Sequence, residues 1–211
     1  MIVLSHRGMW KNKDERNSLE SLAQSLSFGF GLELDIRDYC GDLVVSHDIP
    51  DNKSVLLKSF FEIYMHSGSN LTLALNIKAD GLQVKLQKLL HNHNITNYFV
   101  FDMSVPDGLQ YLNHNIKSFA RESEYEKVLP FYEKVCGVWL DEFEGHWINK
   151  KVIEEHIEDH KDICIVSPEL HNREYKKEWQ HYKNIEKELG VLNLMICTDY
   201  PELAKEFFNE K

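Results

Sequence analysis

Short apolar runs alternate with longer segments of helical periodicity along this chain, and no other feature constrains its fold as strongly. Strand-like runs stand at 2–5, 32–36, 43–47, 71–78, 97–103, 116–120, 137–141, 163–167 and 194–199. Helical patterns occupy 18–28, 54–66, 80–93, 123–135, 148–160, 173–189 and 201–210. Strands interleaved with helices in this way build parallel sheets. The run at 43–47 follows its predecessor after only a Gly41-Asp42 turn, so it reads as a hairpin or extension. Setting it aside leaves eight βα units in 211 residues. The expected architecture is α/β, a single (β/α)8 TIM barrel over residues 1–211 with only a short insertion after the second barrel strand. An open doubly wound sheet is the alternative. The 43% of hydrophobic residues suffices for such a core.

Side chains alternate across a strand. In "GLELDI" (31–36), Leu32, Leu34 and Ile36 share one face, and Glu33 and Asp35 the other. In "LTLALNIK" (71–78), the leucines and Ile77 oppose Thr72, Ala74, Asn76 and Lys78. In a parallel barrel the apolar set faces the helices, so the polar set points inward, near the C-terminal strand ends where barrel enzymes place their sites. His6 and Arg7 close the first strand, and His47 and Asp48 close the extension. These groups are expected at one rim. Two inward carboxylates at i and i+2 repel each other and lose hydration, and a hard divalent cation is their natural neutraliser. An ion-pair cluster with Lys78 is the plain structural alternative. Trp139 either stacks on substrate or packs the core. Asp141 shares the inward face of "GVWLDEF" (137–143) with Trp139. Glu169 and His171, just past a late strand, are expected on the rim. His91, His93, His114, His146, His156, His160 and His181 are expected at the surface.

The net charge of −10 argues against nucleic acid as a partner. No stretch approaches the roughly 18 apolar residues of a membrane helix. "MIVLSHRG" lacks a secretory pattern, and the four cysteines form no CxxC pair, so a reduced, cytoplasmic protein is expected. A homo-oligomer stays open.

As a set, "SHRG" (5–8), "RNSLES" (16–21), "GLELDIRD" (31–38), "GDLVVSHD" (41–48), "LALNIK" (73–78) and "MICTDYPE" (195–202) resemble the glycerophosphodiester phosphodiesterase family, within the phosphatidylinositol-specific phospholipase C-like superfamily. The resemblance implies a barrel that hydrolyses phosphodiesters. It implies an acid–base pair at His6 and His47, metal ligands at Glu33 and Asp35 with Ca²⁺ or Mg²⁺, and phosphate contacts at Arg7 and Lys78. The chain departs from the family pattern at three points. Arg16 stands where Glu usually precedes the Asn of the second motif. Asn76 occupies the position of the third metal carboxylate. "IPDNKSVLLKSFFEIY" (49–64) replaces a longer insertion that shapes the glycerol pocket.

The implied activity is that of a metal-dependent phosphoric diester hydrolase acting on a small or lipid-derived diester, placing the chain in lipid metabolism. Cleaving such a diester needs charge neutralisation, a deprotonated nucleophile and a protonated leaving group. A superfamily lyase, a phospholipase-D-like enzyme, or a non-catalytic barrel that binds a phosphorylated ligand are the alternatives.

Overall fold

The computed structural model describes residues 1–191 and 193–209. Cα packing divides the chain into two compact units. One is Ser5–Ser118; the other comprises Met1–Leu4 and Phe119–Lys211. They are called here the N-terminal and C-terminal units.

Strand β1 (Ile2–His6) begins the chain and α1 (Leu19–Ser27) follows it. The N-terminal unit continues with β2 (Gly31–Tyr39), β3 (Asp42–Val45), β4 (Val55–Leu56) and α2 (Leu57–His66). Next come β5 (Leu73–Ile77), α3 (Gln83–Asn92), β6 (Tyr98–Phe101) and α4 (Val105–Asn113). β2 pairs parallel with β5, with Glu33 opposite Ala74 and Asp35 opposite Asn76, and β5 pairs parallel with β6. β3 pairs antiparallel with β2, and β4 with β3. The run at 43–47 is therefore the expected hairpin.

The alternation in β2 and β5 divides their side chains as expected. Leu32, Leu34, Ile36, Leu73, Leu75 and Ile77 pack with Leu22 and Leu26 of α1, Phe60 and Phe61 of α2, Leu86 and Leu90 of α3, and Tyr111 of α4. Burying each such side chain contributes about 1.5–3 kcal/mol relative to exposure. That offsets the cost of burying Glu33, Asp35 and Asn76 on the opposite face.

In the C-terminal unit, β7 (Phe119–Glu122), β8 (Gly137–Leu140), β9 (Asp162–Val166) and β10 (Met195–Thr198) pair in that order, all parallel. Its helices are α5 (Lys150–Glu158), α6 (Lys176–Leu189) and α7 (Pro201–Asn209). Glu210, included in the expected last helix, lies outside the described residues.

Three expectations need correction. Residues 123–135 form turns, not a helix. Pro130 lacks an N–H and disfavours α geometry at the residue before it, and Phe131 adopts φ 59°. Helix α4, "VPDGLQYLN", falls outside the expected helical patterns and holds Pro and Gly. Yet Pro106 falls in the first turn, where a missing N–H costs nothing, and the Ser104 side chain accepts from Asp107 N at the N-terminus. His156 is buried rather than at the surface: Nε2 lies 2.8 Å from Glu122 Oε2 and Nδ1 2.8 Å from the Tyr132 hydroxyl.

One glycine is needed by the turn after β1. Gly8 has φ 94°, and a Cβ there would sit 2.5 Å from Ser21 Oγ and 2.8 Å from the Ser21 carbonyl carbon. Gly8→Ala is expected to destabilise the protein by on the order of 2–4 kcal/mol, combining left-handed backbone strain with overpacking. Urea unfolding checks this; a loss below about 0.5 kcal/mol, the range of ordinary surface substitutions, would show that the turn yields freely.

Candidate active site

The polar face of β2 and β5 supplies the centre of the site, the turn after β1 supplies Arg7, and Lys78 directly follows β5, all within the N-terminal unit. Arg7 takes a left-handed backbone conformation (φ 60°), an uncommon state for a side chain with a Cβ. Three backbone hydrogen bonds hold the turn. Arg7 N donates to Glu33 O at 2.9 Å, Asn17 N donates to Arg7 O at 2.9 Å, and Met9 N donates to Ser21 O at 2.9 Å. Strain held by surrounding structure in this way is common at functional sites.

Asp35 is completely buried. Its Oδ2 accepts from Asn17 Nδ2 at 2.9 Å and lies 2.9 Å from Arg7 Nε. The Arg7 N–H is not aligned for a hydrogen bond, so that contact is an ion pair. Lys78 Nζ stands 3.8 Å from Asp35 Oδ1 and 2.9 Å from Asp102 Oδ2. Glu33 is 1% exposed; its Oε1 accepts from Asn76 Nδ2 at 3.1 Å, and its Oε2 lies 3.9 Å from His6 Nε2. Burial pushes the Glu33 carboxyl above its ordinary value and the Asp35 charge adds to the rise, against smaller opposing effects from His6, Arg7 and the Asn76 hydrogen bond.

Glu33 Oε2, Asp35 Oδ1 and Asn76 Oδ1 are all buried oxygens without a hydrogen-bond partner. Unsatisfied buried oxygens on neighbouring strands are the donor type a hard divalent cation takes, so these residues fit one. Among the described residues no group of three or more His, Cys, Asp or Glu side chains is placed to hold a metal. A cation here would therefore draw on the Asn76 amide oxygen beside two carboxylates.

His47 follows β3 and is half-exposed. Its Nδ1 lies 2.9 Å from Asp48 Oδ1, its carbonyl accepts from Arg37 Nε at 3.0 Å, and Ser46 N beside it donates to Asp35 O at 3.0 Å. Hydrogen bonding from His47, then its charge, holds the Asp48 carboxyl below the usual carboxylate range. His47, Asp48, Arg7, Arg16 and Asn17 line a cavity of about 670 Å³, within the usual range of small-ligand sites. The Arg16 guanidinium sits 4.0 Å over the Trp10 ring, whose Nε1 donates to His6 O at 3.0 Å. Arg16 thus takes up a cation–π contact where the family pattern has a carboxylate.

The structure therefore sets His6 and Asn76 against Glu33, and Arg7 and Lys78 against Asp35, on the polar face of β2, with His47 on the adjoining cavity. Sequence reasoning missed two participants. Asp102, directly after β6 and with φ 71°, partners Lys78, and Asn17, with φ 59°, holds Asp35. For Asp102 the available signal was its position at the C-terminal end of a parallel strand.

Trp139, Asp141, Glu169 and His171 belong to the C-terminal unit. Trp139 is buried at 5% exposure in β8. Asp141 Oδ1 lies 2.6 Å from His171 Nε2. Glu169, expected on the rim, is mostly enclosed: it accepts from the Ser167 and Thr198 hydroxyls and from Asp199 N, tying the segment after β9 to β10. Burial raises its carboxyl above the ordinary value. Cys164 and Cys197 are buried, as expected. Among the described residues no helix is long and apolar enough to cross a membrane.

No protein-family model and no curated protein matches the chain. Solved structures do. A candidate glycerophosphodiester phosphodiesterase from Galdieria sulphuraria superposes with TM-score 0.79 at 17% identity, covering 99% of this chain and 98% of that one. An Oleispira antarctica phosphodiesterase, solved with the product sn-glycerol-3-phosphate, gives 0.68 at 13% identity, covering 100% and 97%. A Ca²⁺-dependent phosphatidylinositol-specific phospholipase C from Streptomyces antibioticus gives 0.61 at 10% identity, covering 99% and 96%. The likeness shows the fold, the α/β barrel class expected from the strand–helix alternation, and the structures that share it include the family whose motifs this sequence resembles.

Proposed function

We propose that this chain belongs to the glycerophosphodiester phosphodiesterase family, as one domain over 1–211, and hydrolyses phosphoric diesters of small or lipid-derived alcohols. One observation supports the reading: buried oxygens of Glu33, Asp35 and Asn76 lack hydrogen-bond partners, while His6 stands against Glu33 and Arg7 and Lys78 against Asp35. That combination of buried oxygens, an imidazole and two cations suits a phosphoryl group better than a neutral substrate. The Oleispira antarctica protein's bound glycerol phosphate supports a substrate of this class.

Glu33, Asp35 and Asn76 would hold a divalent cation, Ca²⁺ or Mg²⁺, and when bound it neutralises charge on the phosphoryl oxygens. The calcium dependence named for the Streptomyces antibioticus enzyme supports this assignment. Arg7 and Lys78 contact the phosphate, Lys78 being aimed by Asp102 and Arg7 by Asp35. His6 and His47 divide the proton transfers: one takes the proton of the attacking hydroxyl as its oxygen bonds to phosphorus, and the other gives a proton to the alcohol oxygen as the P–O bond breaks. The Asp48 contact at His47 Nδ1 fixes the ring and leaves Nε2 for that transfer. The attacking hydroxyl belongs either to the substrate's own glycerol or to water.

The test is a screen of purified protein against glycerophosphodiesters and lysophospholipids, with Ca²⁺, Mg²⁺, Mn²⁺ and EDTA, followed by phosphorus NMR. Release of a phosphate monoester supports the hydrolase. A persistent cyclic phosphate identifies a lyase. No turnover of any diester with any of the ions leaves a phosphate-binding barrel.

A further inference from the structure

The two carboxylates of the proposed cation site only match the charge of a divalent ion, and Arg7 and Lys78 already draw on one of them. Glu33 and Asp35 are carboxylates, but Asn76 contributes a neutral amide oxygen. Part of the available charge is already engaged, since Arg7 Nε lies 2.9 Å from Asp35 Oδ2 and Lys78 Nζ 3.8 Å from Oδ1. Lys78 is itself shared with Asp102 at 2.9 Å. Asn76 stands opposite Asp35 in the β2–β5 register and is only 8% exposed, so solvent does little to make up the missing charge. An ion seated on these three groups keeps uncompensated positive charge in a buried setting, which is unfavourable. A phosphodiester is a monoanion with free oxygens, the ligand type that removes the excess.

Resting on the functional reading above, we propose that the divalent cation and the phosphate ligand bind this protein cooperatively, each completing the charge balance of the other, and that Asn76 sets the size of that coupling. A carboxylate at position 76 would supply within the protein the charge the phosphate now brings. The ion would then bind firmly by itself, and the phosphate would gain less from its presence.

By linkage the effect is reciprocal: whatever factor the phosphate ligand adds to cation affinity, the cation adds to phosphate affinity. The experiment is calorimetric titration of Mg²⁺ and of Ca²⁺ into the wild type with and without sn-glycerol-3-phosphate, and of that ligand with and without each ion. The expected coupling lies in the usual range of about 5- to 150-fold and is equal in both directions. In Asn76→Glu the ion alone binds more tightly and the coupling factor falls towards one. Asn76→Asp, one methylene shorter, carries the same comparison if the longer side chain disturbs folding. Independent binding of ion and ligand to the wild type, in a protein that still hydrolyses diesters, overturns the coupling and leaves the functional reading intact. Coupling of undiminished size in both variants removes Asn76 from the account. Absence of ion binding with and without ligand, together with absence of turnover, overturns both.

Discussion

His6→Ala and His47→Ala are each expected to lower diester turnover by about 10²–10⁴-fold while leaving the protein folded, the usual loss when a positioned acid or base is removed. The two imidazoles occupy different settings. His6 ends β1 with Nε2 3.9 Å from Glu33 Oε2, and its side chain is 13% exposed. His47 follows β3, its ring held by Asp48 and 46% exposed. Neither ring carries the hydrophobic core, so circular dichroism and thermal melting should change little beside the loss of rate. Near-normal turnover in either folded variant would remove that histidine from the mechanism.

The two buried carboxylates should respond in opposite directions when substituted. Asp35→Ala removes the fully buried partner of Arg7 and Asn17, and breaking a buried ion pair in this way costs about 3–5 kcal/mol. Glu33→Gln should instead stabilise the ion-free protein at neutral pH. The folded-state pKa of Glu33 is raised, by burial first and the Asp35 charge second. A raised carboxyl favours its neutral form in the fold. Its stabilising contribution is present below the unfolded value of about 4.3 and is lost as pH rises through the folded value. Glutamine stays neutral throughout and avoids that loss. Melting curves in EDTA from pH 4 to pH 8 are the check: the wild type should fall behind Glu33→Gln as pH rises. A drop in stability for Glu33→Gln comparable to that of Asp35→Ala would show that Glu33, too, is held by an ion pair.

This contrast marks where sequence reasoning stopped. Strand periodicity is strictly two, so Leu32, Leu34 and Ile36 had to face away from Glu33 and Asp35, and Leu73, Leu75 and Ile77 from Asn76. Burial of the apolar set against α1 to α4 then enforced that division. Placing the carboxylates, the amide and Lys78 on one polar face required nothing beyond the alternation, and the hairpin at β3 followed from a two-residue turn. The order of motifs likewise suggested the fold that the structural likenesses share.

Which charge meets which was another matter. Glu33 and Asp35 looked equivalent in sequence, two inward acids at i and i+2. The turn after β1 places Arg7 and Asn17 on Asp35, however, and leaves Glu33 with an amide and a distant imidazole. Lys78 pairs with Asp102, 24 residues away, because β5 and β6 lie side by side. The tertiary structure also buried His156 between Glu122 and Tyr132. Local pattern decides which face a side chain takes, since that depends on backbone geometry over a few residues. Partners, and with them the charge balance of the site, depend on strand adjacency and turn geometry across distant segments, which only the folded chain determines.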